Sequence, residues 1–167
     1  MTQNKLKKRL DYHLNGGFIY KCHRSSKACK GMVVFGTKET NGYKSIFIEG
    51  RKYLFHRMIF LWHHGYLPKY IDHIDRNKYN NKIENLRPTT ISLNGANRKI
   101  NKTSKSGYKG VHWNNFVQHW VASIKKNKKR IYIGRFNKKE DAARAYNIKA
   151  KELFGEHAHI NEIGLIK

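Results

Sequence analysis

Cysteine is scarce in this chain, with Cys22 and Cys29 its two thiols. Two thiols that far apart build neither a disulfide framework nor a zinc quartet. His23 beside them gives a third ligand type, and the sequence offers no evident fourth, so two reduced cysteines in a cytosolic protein is the favoured reading. Long apolar runs are also missing. Nothing approaches a membrane span, and the opening MTQNKLKKRL has no apolar stretch of the kind a signal peptide needs. The expected location is the cytoplasm, with no membrane partner.

Acidic residues are few as well. Eleven Asp plus Glu stand against 35 Lys plus Arg, a formal net charge of +24. Such an excess points to a polyanion, because neutralising phosphates releases counterions and drives association. A merely soluble or ribosome-associated basic protein is the blander alternative. The hydrophobic fraction of 39% over 167 residues allows one domain or two small modules, each with a modest core.

The chain begins with a basic run at residues 5–9. Short apolar or alternating runs follow at 16–20, 32–35, 43–49 and 52–55, with a turn at Glu49-Gly50. They read as a small antiparallel sheet whose role is scaffold. Residues 56–64 have helical spacing, Gly65 is placed to stop the helix, and Pro68 prevents its continuation. His63 and His64 then suit the carbonyl end of the helix dipole. Arg57 reads equally as a phosphate contact or as packing.

Residues 71–98, IDHIDRNKYNNKIENLRPTTISLNGANR, concentrate Asp72, His73, Asp75, Asn85 and Asn94. Carboxylate and amide oxygens are hard ligands for a Mg²⁺- or Mn²⁺-type ion. An imidazole takes a proton from water near neutral pH, and an amide can fix its tautomer from the other ring nitrogen. Asp72 lies between apolar neighbours with no turn to build, which favours function. Asp75 and Asn77 sit in turn chemistry, which favours structure. The expected elements are a strand at 70–74, a polar turn at 75–81, a strand at 85–89, and a helix capped by Thr90 and running to about Lys99.

The pattern D-H-I-D-x-N-x-x-N-N-x-x-x-N-L-R, with an Asn downstream, resembles the HNH homing endonucleases of phages, in the subclass with Asn in place of the last His. The resemblance implies the strand–strand–helix–metal fold and one divalent metal, Mg²⁺ with Mn²⁺ as the alternative. It makes His73 the general base, Asn85 the residue that orients it, and Asp72 and Asn94 the metal ligands. Adjacent strand residues face opposite ways, so Asp72 and His73 serve one site only at a twisted strand end.

Residues 101–107 (NKTSKSG) read as a basic linker, and the chain changes character after them. Strands are expected at 108–113, 120–125 and 130–136, with turns at 115–118 and at Asn127-Lys128. Asn137 is placed to cap a helix, with Glu140 at the capping-box position and Gly155 ending the run. Its alanines would let the helix lie close on the sheet. The segments SGYKGVHW, WVASI, RIYIGRF and EDAARAY with LFG resemble the plant ethylene-response (APETALA-type) DNA-binding domain. That resemblance implies a three-stranded sheet laid in the major groove. Its contacts would fall on Lys109, His112, Asn114, Lys125, Arg130 and Tyr132. Asn114, Ser123 and Tyr132 depart from the plant pattern, so the plant sequence preference is not expected to transfer.

The fold class expected is α+β. A nuclease domain with its N-terminal sheet occupies 1–100, the linker 101–107, a sheet-and-helix DNA-binding domain 108–161, and a tail 162–167. The expected activity is hydrolysis of a phosphodiester bond in double-stranded DNA, nicking one strand as a monomer, with a dimer left open for cutting both. A non-catalytic DNA-binding regulator and an RNA-binding protein are the rival readings.

Overall fold

Thr2 starts the first element, its Oγ1 accepting from the Lys5 N–H at 3.4 Å to cap α1 (Gln3–Arg9). The computed structural model describes residues 1–21, 29–101 and 103–164. Cys22 and His23 fall outside these, and Cys29 is exposed. The basic run therefore hides a helix. Leu6 is its one buried side chain, and Lys7, Lys8 and Arg9 fill the last turn, where cations meet the carbonyl end favourably.

The chain forms two compact units, Met1–Thr89 and Thr90–Lys167. In the first, β1 (Leu10–His13), β2 (Gly17–Tyr20) and β3 (Val33–Val34) make one antiparallel sheet. A second contains β4 (Thr37–Lys38), β5 (Lys44–Ile48) and β6 (Arg51–Leu54). The single small sheet expected from sequence is thus two. Helix α2 (Phe55–His64) follows and stops at Gly65, whose φ of 78° suits glycine. Phe55, Ile59 and Phe60 of α2 are fully or almost fully buried, together with Leu6, Leu10 and Phe18. Each such side chain contributes about 1.5–3 kcal/mol relative to exposure.

Ile71 and Leu86 belong to the same core and fasten to it a two-stranded antiparallel ribbon, β7 (Tyr70–His73) with β8 (Leu86–Thr89). Its register pairs Asp72 with Arg87 and His73 with Leu86. Pro88 is tolerated because each strand of a two-stranded ribbon has an open edge. The connecting loop contains one 3₁₀ turn, Ile83–Asn85. The N-terminal hairpin braces that loop. A Cβ on Gly16 (φ 78°) would lie 2.8 Å from the Lys82 nitrogen and 3.0 Å from the Asn81 carbonyl carbon. Tyr12 Oη accepts from the Ile83 N–H at 3.3 Å.

The second unit opens with α3 (Ile91–Asn97), capped by Thr90 Oγ1 accepting from the Leu93 N–H at 3.2 Å. The sequence reading grouped this helix with the nuclease module. Here Ala96 is buried with Ile124, Tyr146, Ala150 and Phe154, so the helix counts with the second unit. Strands β9 (Val111–Asn114), β10 (His119–Lys126) and β11 (Lys129–Phe136) form a sheet with β10 central. Asn127 and Lys128 both have positive φ, 50° and 69°, as a two-residue primed hairpin turn requires.

Helix α4 (Lys139–Phe154) packs on this sheet. Ala142 and Ala143 are wholly buried with Val111 and Ala122, and these short side chains permit close approach. Gly110 is obligatory by sterics. Its φ is 76°, and a Cβ there would sit 2.1 Å from Tyr146 Cε2. The expected Asn137 cap is not found. Lys138 holds the cap position without a side-chain bond, and Glu140 and Asp141 in the first turn complement the dipole instead. Among the described residues no helix is long and apolar enough to cross a membrane.

Candidate active site

The loop after β7 holds its shape through its own side chains. Asp75 Oδ1 accepts from the Asn77 N–H at 2.8 Å, and Asn77 Oδ1 accepts from the Tyr79 N–H at 3.0 Å. Asn80 Nδ2 donates to Asp75 Oδ2 at 2.7 Å. These are the local side-chain-to-backbone turns that Asp and Asn favour. Burial raises the Asp75 carboxyl, but the bonds from Asn80, the Asn77 backbone and Asn85 outweigh it and hold the group below the usual carboxylate range. Asp75 is structural, as its turn context indicated.

Asn85 completes this loop. Its Nδ2 donates to Asp75 Oδ1 at 2.8 Å and to the Asn80 carbonyl at 2.7 Å, while its Oδ1 accepts from the Asp75 N–H at 2.9 Å. Both amide hydrogens are engaged inside the loop. Asn85 was expected as the partner of His73; the structure brings another amide to the imidazole, that of Asn81, with Oδ1 3.0 Å from His73 Nε2. A carbonyl oxygen only accepts, so in this contact Nε2–H is the donor. Tandem asparagines at 80 and 81 are the sequence signal for this residue. Nothing in the pattern says which of the pair faces inward.

His73 ends β7 and is 4% exposed. Burial lowers its pKa below the ordinary value, against upward pulls from the Asn81 bond and from the Asp75 and Asp72 carboxylates. The imidazole is therefore neutral at pH 7. A second histidine, His56, packs edge-on to it with ring centroids 5.2 Å apart. The Tyr43 ring lies 5.2 Å from His56 and 6.2 Å from His73, and Lys78 Nζ covers it at 4.1 Å. Burial, His73 and Arg57 push the His56 pKa down to about 3. His56 Nδ1 and Asn81 Nδ2 are buried without a hydrogen-bond partner among the described residues. Arg57 donates to the Lys69 and Pro68 carbonyls at 3.3 and 3.1 Å, which ties it to the entry to β7.

Asp72 is 6% exposed, one residue before His73. Its Oδ2 accepts from Arg87 Nη2 at 3.1 Å and Nε at 3.3 Å across the ribbon. Arg87 is the closing Arg of the sequence pattern, where no role attaches to it. Only the strand register, which no spacing rule supplies, places it opposite Asp72. Asn94 stands on α3, in the second unit. Among the described residues no group of three or more His, Cys, Asp or Glu side chains could hold an ion. A buried carboxylate at a strand end still fits Mg²⁺, which keeps several waters and is bound through one or two carboxylates plus substrate phosphates.

In the second unit, His112, Asn114, Arg130 and Tyr132 line one concavity of about 310 Å³ on the sheet, joined by Ser123 and Arg135. Lys125 is exposed on β10, paired in register with Arg130. Asn114 also organises the hairpin tip, its Oδ1 accepting from the Phe116 and Val117 N–H groups at 2.9 and 3.3 Å. Lys109, expected as a DNA contact, is tied to α3. Its Nζ donates to the Gly95, Ala96 and Arg98 carbonyls, closing the C-terminal end of α3. Arg135 and Ser123 were missed as lining residues, although their strands were read correctly.

Residues 53–96 match the HNH endonuclease family. The chain is also similar to two viral proteins. One, from Acanthamoeba polyphaga mimivirus, is named uncharacterized HNH endonuclease L560; it is 39% identical over 126 residues, covering 74% of this chain and 64% of that protein. The other, Protein 3.8 of Escherichia phage T7, is 38% identical over 72 residues, covering 41% of this chain and 60% of that protein. The chain thus spans less than two thirds of either relative. No solved structure matches. The matched stretch, residues 53–96, is similar to the HNH endonuclease family and includes β7 and β8.

Proposed function

We propose that this HNH domain serves a metal-dependent, homing-type DNA endonuclease that nicks one strand of a duplex as a monomer. The observation that carries the reading is His73 at the end of β7, its pKa lowered by burial and its Nε2 3.0 Å from Asn81 Oδ1. A neutral imidazole in one tautomer is what general-base activation of water requires at neutral pH. In this reading Asp72 holds a divalent ion, Mg²⁺ or Mn²⁺, and Asn94 is carried as the second ligand by the sequence pattern alone. When bound, the ion supplies charge neutralisation at the scissile phosphate and the leaving oxygen. His73 takes the proton of the attacking water, Asn81 keeps the ring from turning, and the His56 and Tyr43 rings exclude solvent from its flank.

The sheet of the second unit is proposed to select the site. His112, Asn114, Arg130 and Tyr132 share one concave face there, and the net charge of +24 favours phosphate contacts around it. Arg to guanine and Asn to adenine are the natural pairings in a major groove. Lys125 is retained as a phosphate contact.

Cleavage of supercoiled plasmid with Mg²⁺, with Mn²⁺ and with chelator tests the proposal. Metal-dependent conversion to open circle, abolished by His73→Ala and Asp72→Ala with binding retained, is the expected result. Cleavage that persists in both variants would overturn the assignment of the site.

A further inference from the structure

We propose that Arg87 is the resident counter-ion of the candidate metal carboxylate, and that a divalent cation must compete with it for Asp72. The proposal rests on the reading of Asp72 as a metal ligand. Two donors of the guanidinium, Nη2 and Nε, converge on one oxygen, Asp72 Oδ2, at 3.1 and 3.3 Å. The contact is built into the fold, because the antiparallel register sets Asp72 directly opposite Arg87. It is also well shielded, with the two side chains 14% and 7% exposed for Arg87 and Asp72.

A surface pair of this kind would be worth little, but a shielded one interacts strongly, and removing one partner leaves an uncompensated buried charge. The guanidinium therefore has two effects on the carboxylate. It makes a buried anion tolerable while no metal is bound, and it places a full positive charge within hydrogen-bond distance of the oxygen that a cation needs. Like charges so close oppose each other. The free protein should hold a divalent ion weakly as a result. Guanidinium is also the side chain best matched to phosphate oxygens. DNA can thus take over Arg87 as the cation takes over Asp72, and metal affinity should rise when a duplex is bound.

The experiment measures Mn²⁺ affinity by calorimetry and by the Mn²⁺ electron-spin signal, on the full chain without DNA. Wild type, Arg87→Gln, Arg87→Lys and Asp72→Asn are compared. Arg87→Gln is expected to bind Mn²⁺ at least tenfold more tightly than wild type. Arg87→Lys keeps the charge without the fork, and its affinity should fall between the two. Thermal melting supplies the second readout: Arg87→Gln should melt lower than wild type without metal, and Mn²⁺ should raise its Tm by more. If Arg87→Gln does not fold, Arg87→Lys carries the comparison alone, with tighter binding than wild type expected. A short duplex should narrow the gap between wild type and Arg87→Gln.

Equal affinities and equal Tm shifts in wild type and the Arg87 variants, with Mn²⁺ binding lost in Asp72→Asn, would overturn the role of Arg87 and leave the Asp72 reading standing. Mn²⁺ binding unchanged in Asp72→Asn would overturn both. A gap that the duplex leaves unchanged would overturn the coupling to phosphate.

Discussion

Asn81 Oδ1 lies 3.0 Å from His73 Nε2, while the side chain of Asn85, the asparagine that the motif singles out, bonds to Asp75 and Asn80 within the loop. Under the proposed function the two asparagines divide the work between chemistry and architecture, and substitution separates them. Asn81→Ala should lower the cleavage rate by about 10–100-fold, a typical loss when the partner that orients a functional histidine is removed. Its stability should fall less than that of Asn85→Ala, because one buried bond is lost and an unpartnered amide N–H is removed with it. Asn85→Ala should destabilise the chain by about 1–3 kcal/mol, because the bonds of this buried amide to the Asp75 N–H, the Asp75 carboxylate and the Asn80 carbonyl are all lost. Single-turnover cleavage and urea melts of both variants check the division.

The pH profile of cleavage follows from the lowered pKa of His73. The base form persists below pH 6.5, so activity should be level through neutrality and fall only on the acid side of that value. The bond from Nε2–H to Asn81 raises the pKa, so Asn81→Ala should move the acid limb to still lower pH. His73→Ala should cost about 10²–10⁴-fold in rate. A limb above pH 7 that disappears with His73 would contradict this account.

His56 makes the chain sensitive to acid. In the folded state its pKa is about 3, against an ordinary value of 6.5, and burial is the main cause. Between those values the unfolded chain takes up a proton that the folded chain refuses. The contribution to stability is therefore fully present above pH 6.5 and is lost as pH falls toward 3. His56→Phe, which keeps a ring beside His73, should flatten the fall in unfolding free energy by up to about 1.4 kcal/mol per pH unit in that window. Denaturant titrations at pH 7.5, 6 and 5 would read the slope directly.

The sheet of the second unit gives a contrast in binding. Arg130→Ala or Arg135→Ala should weaken DNA binding and reduce the salt slope by about one for each phosphate that is no longer neutralised. Lys109→Ala should act on stability, because its Nζ serves the carbonyls at the end of α3. Affinity measured over a salt series, beside thermal melts, separates these outcomes. A change of salt slope in Lys109→Ala without loss of stability would contradict the capping role.

The residue types of the site were legible in the sequence because metal-assisted hydrolysis demands a narrow set, and the strand pair and Thr90 cap followed from ordinary patterning. The partner of His73 was not legible. Asn77, Asn80, Asn81 and Asn85 are all suited to turns, and the loop conformation, including Arg76 at φ 64°, decides which one turns inward. Arg87 was hidden for a similar reason, since a hairpin register depends on the length and bulk of its loop. The helix α1 was masked by its lysines, because one buried leucine is too weak a periodic signal. Lys109 looked like any cation on a basic face until the carbonyls of α3 were placed beside it.

The loop from Asp75 to Asn85 closes through bonds among its own residues, and this has a consequence for descent. A segment that keeps its conformation by internal wiring tolerates drift in the sheets around it as long as Gly16 and Tyr12 still press on its far side. Under the proposed function, new target sequences can then be sampled through changes in the recognition sheet while the hydrolytic machinery is inherited intact. Lineages of such proteins should diverge fastest along β9 to β11 and slowest across these few asparagines.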